Sequence, residues 1–209
     1  MIDPLKFKAP FITKEEAWAA ADRIRSERWP SGSIPVEVEL ILRPVGLRLD
    51  PIPSLKQAGD VDAFLTGDLS RIVVDFEDYM DDRMDNRMRF SIAHELGHFV
   101  LHRSILENIE YESLDDWIRF VQLVPEKEKG SIEYHANEFA GRLLVPLDRL
   151  KQEFLIAFKK AEEKGFKDWA EYGDVAKEFM ANDICQVFGV SREVIEKRII
   201  RERLLLPTG

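Results

Sequence analysis

His94, Glu95 and His98 stand in the order H-E-x-x-H inside a stretch that reads as helix. On a helix, positions i and i+4 lie one above the other on the same face, so two imidazoles can reach one metal ion. Glu95 sits beside the first of them, near the position a water would take at an open metal site. Two imidazoles, a carboxylate base and an activated water are the parts of a metal-dependent peptidase. The chain has only four histidines in 209 residues. At that frequency the motif arises by chance on the order of once in a hundred such chains, the false-positive risk any short motif carries.

A zinc site with two histidines needs a third protein ligand. The longer H-E-x-x-H-x-x-G-x-x-H pattern is absent, because positions 101 and 104 are Leu and Ser. The ligand must come from another segment. The candidate cluster is Glu133, His135, Asn137 and Glu138, on a second helix whose Ala136, Phe139, Ala140, Leu143 and Leu144 are apolar and which Pro146 stops. His135 points about 200° from Glu133 on that helix, and Glu138 about 140° round. His102, one turn past His98, drifts off the metal side and reads as an outer hydrogen-bond donor or a packing residue.

Two blocks carry a resemblance: Arg89-Phe-Ser-Ile-Ala-His-Glu-Leu-Gly-His-Phe-Val-Leu-His102, and Glu133-x-x-x-Asn137 running on through Phe139-Ala140 to Leu143-Leu-Val-Pro146. Together they resemble the ImmA/IrrE family of metallopeptidases. The resemblance implies a zincin-like fold and names Glu133 as the third ligand, four residues before Asn137. It implies that Asn137 hydrogen-bonds a ligating histidine, as in gluzincins generally. It also implies zinc, although Mn2+ or Fe2+ would suit a two-histidine, one-carboxylate set too. The substrate it implies is a protein, a DNA-binding repressor encoded nearby and cut to switch on stress or mobile-element genes. The alternative is a non-proteolytic partner-binding regulator or a toxin–antitoxin component. An intact Glu95 beside two ligands argues against that, because a structural site has no use for a base.

The elements that must position these residues follow from local pattern. Asn86 can cap the catalytic helix, and Met88, Ile92, Leu96 and Phe99 give it one core-facing arc. Thr13-Lys-Glu-Glu16 is a capping box opening a helix to about Trp29. Residues 36–42 read as strand by alternation but as short helix by their approach to Pro44 and Gly46. Residues 47–52 read as a strand, and 61–65 with 71–76 as a hairpin. The acidic run Asp75–Asp85 reads as a solvated connection. The insert between His98 and Glu133 holds an amphipathic stretch, 111–125, and a charged turn, 126–130. It reads as a helix packed on the core, or otherwise as a flap beside the cleft.

Residues 147–164 read as a long helix ending at Gly165. Residues 181–199 have helix-turn-helix rhythm, with Gly189 at the turn and Ser191 capping. From Arg192 to Arg203 five Lys/Arg oppose three Glu, a weak footprint for DNA reading. The expected architecture is α+β and zincin-like: a helix bundle carrying the H-E-x-x-H helix, a small antiparallel sheet, and a helical C-terminal extension. The expected division is a metallopeptidase domain over 1–146 and the extension over 147–209.

Length and 45% hydrophobic content allow one good core. A formal net charge of −9 argues against a general nucleic-acid or anionic-membrane binder and favours a basic partner. The lone Cys185 excludes an internal disulfide and reads as a buried residue of a cytoplasmic protein. No leader-like apolar segment and no apolar run of 18 residues occur, so no membrane span is expected.

Overall fold

Helix α1 (Lys14–Arg28) opens on its capping box: the Glu16 amide donates to Thr13 Oγ1 at 3.2 Å, and the Thr13 amide donates back to the Glu16 carboxylate at 2.7 Å. The computed structural model describes residues 3–59, 61–109, 114–166 and 169–204. The ambiguous segment after the first loop is helical, α2 (Val38–Val45), with Val38, Ile41 and Leu42 buried at i, i+3 and i+4. Gly46, at φ 92°, closes it in the left-handed conformation that costs glycine least.

The sheet follows: β1 (Arg48–Ile52), a short α3 (Leu55–Gly59), β2 (Ala63–Leu65) and β3 (Arg71–Asp75), in spatial order β1-β3-β2. β2 and β3 form the expected antiparallel hairpin, with Phe64 opposite Val73. β1, however, pairs parallel to β3, Asp50 opposite Val73, so the sheet is mixed rather than antiparallel. Alternation fixes which face a residue takes but not strand direction. The segment through α3 leads into β2, which runs opposite to β1, and the β2–β3 hairpin turns the chain back into the sense of β1. Ala63, Leu65, Ile72 and Val74 face the main core, while Phe64 and Val73 pack with Leu55 and Trp117 on the other side.

Asp75 is buried, not solvated. It accepts from the amides of Lys56 (2.9 Å) and Asp78 (3.0 Å), the latter capping the single turn α4 (Phe76–Tyr79). A 3-10 turn, Asp82–Met84, leads into α5 (Asp85–Leu106), the helix of the H-E-x-x-H motif. Asn86 is not its cap but lies in its first turn, donating to the Val190 carbonyl at 3.4 Å. The expected arc of Met88, Ile92, Leu96 and Phe99 is buried.

The insert contributes α6 (Leu114–Leu123), whose Trp117 ring packs at a tilt against Phe64 and whose Phe120 meets Phe7; residues 111–113 of the expected stretch lie outside the described ones. The charged residues 126–130 are not a turn. They are the start of α7 (Glu126–Leu144), where Glu126 and Glu128 complement the helix dipole and exposed Gly130 is tolerated.

The C-terminal part is helical: α8 (Leu147–Glu163), α9 (Trp169–Phe188) and α10 (Arg192–Arg201). Gly189, at φ 60°, makes the turn between the last two, and Arg89 of α5 donates to its carbonyl at 2.7 Å. Around Trp18 a charged network ties α1, α7 and α10 together. Arg142 bridges Asp22 and Glu202 at 2.6 Å each, and Trp18 Nε1 donates to Glu138 at 2.9 Å. The buried Arg198 pairs with Glu202, and its guanidinium carbon lies 4.8 Å from the Trp18 ring centre. Cys185 is buried and unbridged. Among the described residues no helix is long and apolar enough to cross a membrane.

Candidate metal centre

The grouping of His94, Glu95, His98 and Glu133 depends on how closely α5 and α7 cross. A Cβ on Gly97 would lie 3.1 Å from a ring carbon of Phe139 and 3.2 Å from both the Cα and the carbonyl oxygen of Ala136. An alanine there would force α7 back by a few tenths of an ångström, and Ala136 and Ala140 keep the opposing face low. The crossing brings Glu133, one turn before Ala136, over the two motif histidines.

The geometry there is close to a tetrahedral face. His94 Nε2 and His98 Nε2 are 3.0 Å apart. One Glu133 oxygen is 3.1 Å from His94 Nε2, and the other is 3.5 Å from His98 Nε2. Bonds of about 2.0–2.1 Å in a tetrahedron place ligand atoms roughly 3.3–3.4 Å apart, so a zinc-sized ion fits among these three side chains. Glu95 also has a carboxylate oxygen within 4.8 Å of the two ring nitrogens. Its Oε2, however, accepts the Leu65 amide of β2 at 2.9 Å, which holds that oxygen away from the ligand set.

The two carboxylates are pushed in opposite directions. Burial drives the Glu95 pKa up, the negative Glu133 adds to that, and the His98 and His94 charges do not compensate. Burial opposes charge on Glu133 as well, but hydrogen bonds from His94 and His98 outweigh it and hold Glu133 well below the usual carboxylate range. Burial also disfavours charge on His94. Its hydrogen bond to Glu133 and the nearby Glu95 charge overcome that, so its pKa rises above 6.5.

Asn137 Oδ1 lies 3.2 Å from His94 Nδ1. Glu138 is turned away from the metal side, into the Trp18 network, where Arg201 reaches it at 3.0 Å. His135 is buried and contacts His102 rather than the metal set. His102 is buried too, with its Nδ1 3.1 Å from His98 Nδ1. Burial, with the neighbouring His98 and His135, brings its pKa down to about 2. Sequence reasoning weighed these two histidines singly and missed that they touch. No spacing rule connects residues on helices 33 positions apart. It also missed Gly97 as the crossing point, although the small residues Gly97, Ala136 and Ala140 were the available signal.

A family model described as Peptidase_M78, the IrrE N-terminal-like domain, matches residues 80–199, more than half of the chain. The chain belongs to this family. It is therefore of a metallopeptidase family, and the family points to a metal cofactor and protein substrates. No curated protein matches the chain. The matched region takes in α5, α7 and the helices through most of α10, and so runs across residue 146.

Beside the metal set, a hollow of about 210 Å3 is lined by Asp62, Ala63, Phe90, Ser91, His94 and Glu95. It shares Asp62, Phe90 and Ser91 with a larger cavity of about 540 Å3, walled by α7 (Tyr134, Asn137, Gly141) and α10 (Val194, Lys197, Arg201). The two form a cleft leading from His94 and Glu95 to α10.

Proposed function

We propose that the protein is a zinc-dependent endopeptidase that cuts a specific regulatory protein, with His94, His98 and Glu133 as the metal ligands. The observation that carries this is the triangle of ligand atoms at 3.0, 3.1 and 3.5 Å, with a raised-pKa carboxylate, Glu95, beside it. Mn2+ or Fe2+ suits the same donors. A divalent ion bound by these three side chains would supply Lewis acidity, toward the scissile carbonyl and toward a water molecule near neutral pH.

The chain's own residues do the rest. Glu95, oriented by the Leu65 amide, takes a proton from the attacking water as the new C–O bond forms. It then gives that proton to the leaving amine as the C–N bond breaks. Asn137 accepts from His94 Nδ1–H and so keeps Nε2 facing the ion. The cleft past Phe90 and Tyr134 holds an extended chain, and helices α8 to α10 pack on the catalytic part, with α10 supplying one wall.

The substrate we favour is a cytoplasmic DNA-binding repressor encoded beside this protein, because a net charge of −9 favours a basic partner. Direct DNA reading by α10 is disfavoured. Arg198 is buried, Arg201 is paired with Glu138 and Lys197 with Glu193 at 2.7 Å, so the helix offers few cations to phosphates.

Glu95→Gln keeps the size of the side chain and should bind both zinc and the repressor while cleaving at least about 100-fold more slowly. Cleavage at the wild-type rate would remove Glu95 from the role of base. Binding without cleavage by both forms would instead support a non-proteolytic regulator.

A further inference from the structure

All four histidines of the chain lie in one line. His94 and His98 meet through their Nε2 atoms at 3.0 Å, His98 and His102 through their Nδ1 atoms at 3.1 Å, and His102 Nε2 lies 3.3 Å from His135 Nδ1. Beyond His135 the backbone of Ile12 is a hydrogen-bond partner of its ring. His98, His102 and His135 are 8%, 0% and 5% exposed, so water does not serve these nitrogens. A buried imidazole is costly unless both its nitrogens are satisfied.

Hydrogen-bond bookkeeping then fixes one direction, granting the ligand set proposed above. A neutral imidazole has one N–H and one bare nitrogen. If His98 gives Nε2 to the ion, its proton sits on Nδ1 and must be donated to His102 Nδ1. His102 therefore accepts there and carries its own proton on Nε2, which donates to His135 Nδ1. His135 is left with Nε2–H for the Ile12 carbonyl. The reverse order would set two N–H groups head to head at 3.1 Å.

We propose that His102 is the positioning residue of His98: its bare Nδ1, kept bare by His135 and Ile12 behind it, holds the ligand's tautomer and ring orientation. It does for His98 what Asn137 does for His94. The chain of contacts also explains why a fully buried position on α5 carries an imidazole. The far end is itself fixed. The Ala9 amide (2.9 Å) and the Lys8 ammonium (3.2 Å) both donate to Glu128, which holds the segment before α1 against α7. The relay thus ties the metal site to three separate pieces of chain.

The test has two parts. In the zinc-loaded wild-type protein, nitrogen-15 NMR of the histidine rings should find His102 and His135 protonated on Nε2 and bare on Nδ1. A proton on His102 Nδ1 overturns the proposal. Zinc affinity, measured by competition with a chromophoric chelator, should fall about 10–100-fold in His102→Leu. His102→Asn, whose Oδ1 replaces Nδ1 as acceptor, should recover most of that loss. A merely space-filling role predicts the opposite order, with Leu at least as good as Asn. If wild type takes up no zinc, the ligand set itself is wrong. If wild type binds and both variants bind equally well, only the relay is wrong. The NMR measurement decides the matter even if His102→Leu fails to fold.

Discussion

Glu133 and Glu138 sit five residues apart on α7, yet removing them should break different things. Glu138 is 8% exposed and accepts from Trp18 Nε1 at 2.9 Å while pairing with Arg201 at 3.0 Å. In Glu138→Ala the indole N–H loses its acceptor in a largely dry place, which costs about 1–3 kcal/mol. The Arg201 pair adds only about 0–1 kcal/mol, because Arg201 is 45% exposed and screened by water. The sum, about 1–4 kcal/mol, should lower the Tm of a chain this size by about 2–16 °C.

Zinc binding should survive, because Glu138 lies on the Trp18 side of the helix. Glu133→Ala should do the reverse. Its side chain is 47% exposed, so the metal-free protein should lose less than in Glu138→Ala, mainly its pairing with His94 between pH 4.5 and 6.5, but the rise in Tm on adding zinc should vanish. Thermal unfolding of both variants with and without zinc, alongside elemental analysis, separates the two. A folded Glu138→Ala protein that has lost zinc, or one with an unchanged Tm, would refute this reasoning.

Gly97→Ala places a methyl 3.1–3.2 Å from Phe139 and the Ala136 backbone, so α7 must move by a few tenths of an ångström. Overpacking of about 1–3 kcal/mol should exceed the helix gain of about 0.5–1 kcal/mol, and zinc affinity should fall with stability; a higher Tm with unchanged affinity counts against the crossing argument. The His94 pKa is raised above 6.5, so protons compete with zinc there, and affinity followed by titration calorimetry should fall as pH drops through a midpoint above 6.5. In the metal-free protein that raised His94 pKa contributes stability below 6.5 that is lost as pH rises. The depressed Glu133 contributes stability above 4.5 that is lost as pH falls, while Glu95, pushed up, works against stability as it ionises. The difference in Tm between wild type and Glu133→Gln should therefore be largest between pH 4.5 and 6.5; a flat difference would mean the pair does not form.

The helices of the site were legible because their signals are local. Thr13 and Glu16 cap α1 as their spacing requires, and the arc of Met88, Ile92, Leu96 and Phe99 faces the core as its period requires. What the pattern could not give was tertiary. The parallel pairing of β1 depends on β3, not β2, taking the place beside it, and the burial of Asp75 depends on where the Lys56 amide lands. Residues 126–130 looked like a turn because Gly130 and four charges imitate one; Pro125 and the acidic first turn of α7 decide otherwise. Motif spacing placed His94, Glu95 and His98 near one another. The contacts of His102 with His135 arise only when α5 and α7 pack, and nothing in either helix alone announces them.

The central claim is that one ion sits among His94, His98 and Glu133. Crystals of zinc-reconstituted protein, measured with anomalous scattering at the zinc edge, test it directly. The account predicts about one ion per chain, with Nε2 of both histidines at about 2.0–2.1 Å and a Glu133 oxygen at about 2.0–2.2 Å. An ion held by Glu138 or His135 with Glu133 in solvent, or reconstituted protein carrying less than about 0.2 equivalents, would contradict it.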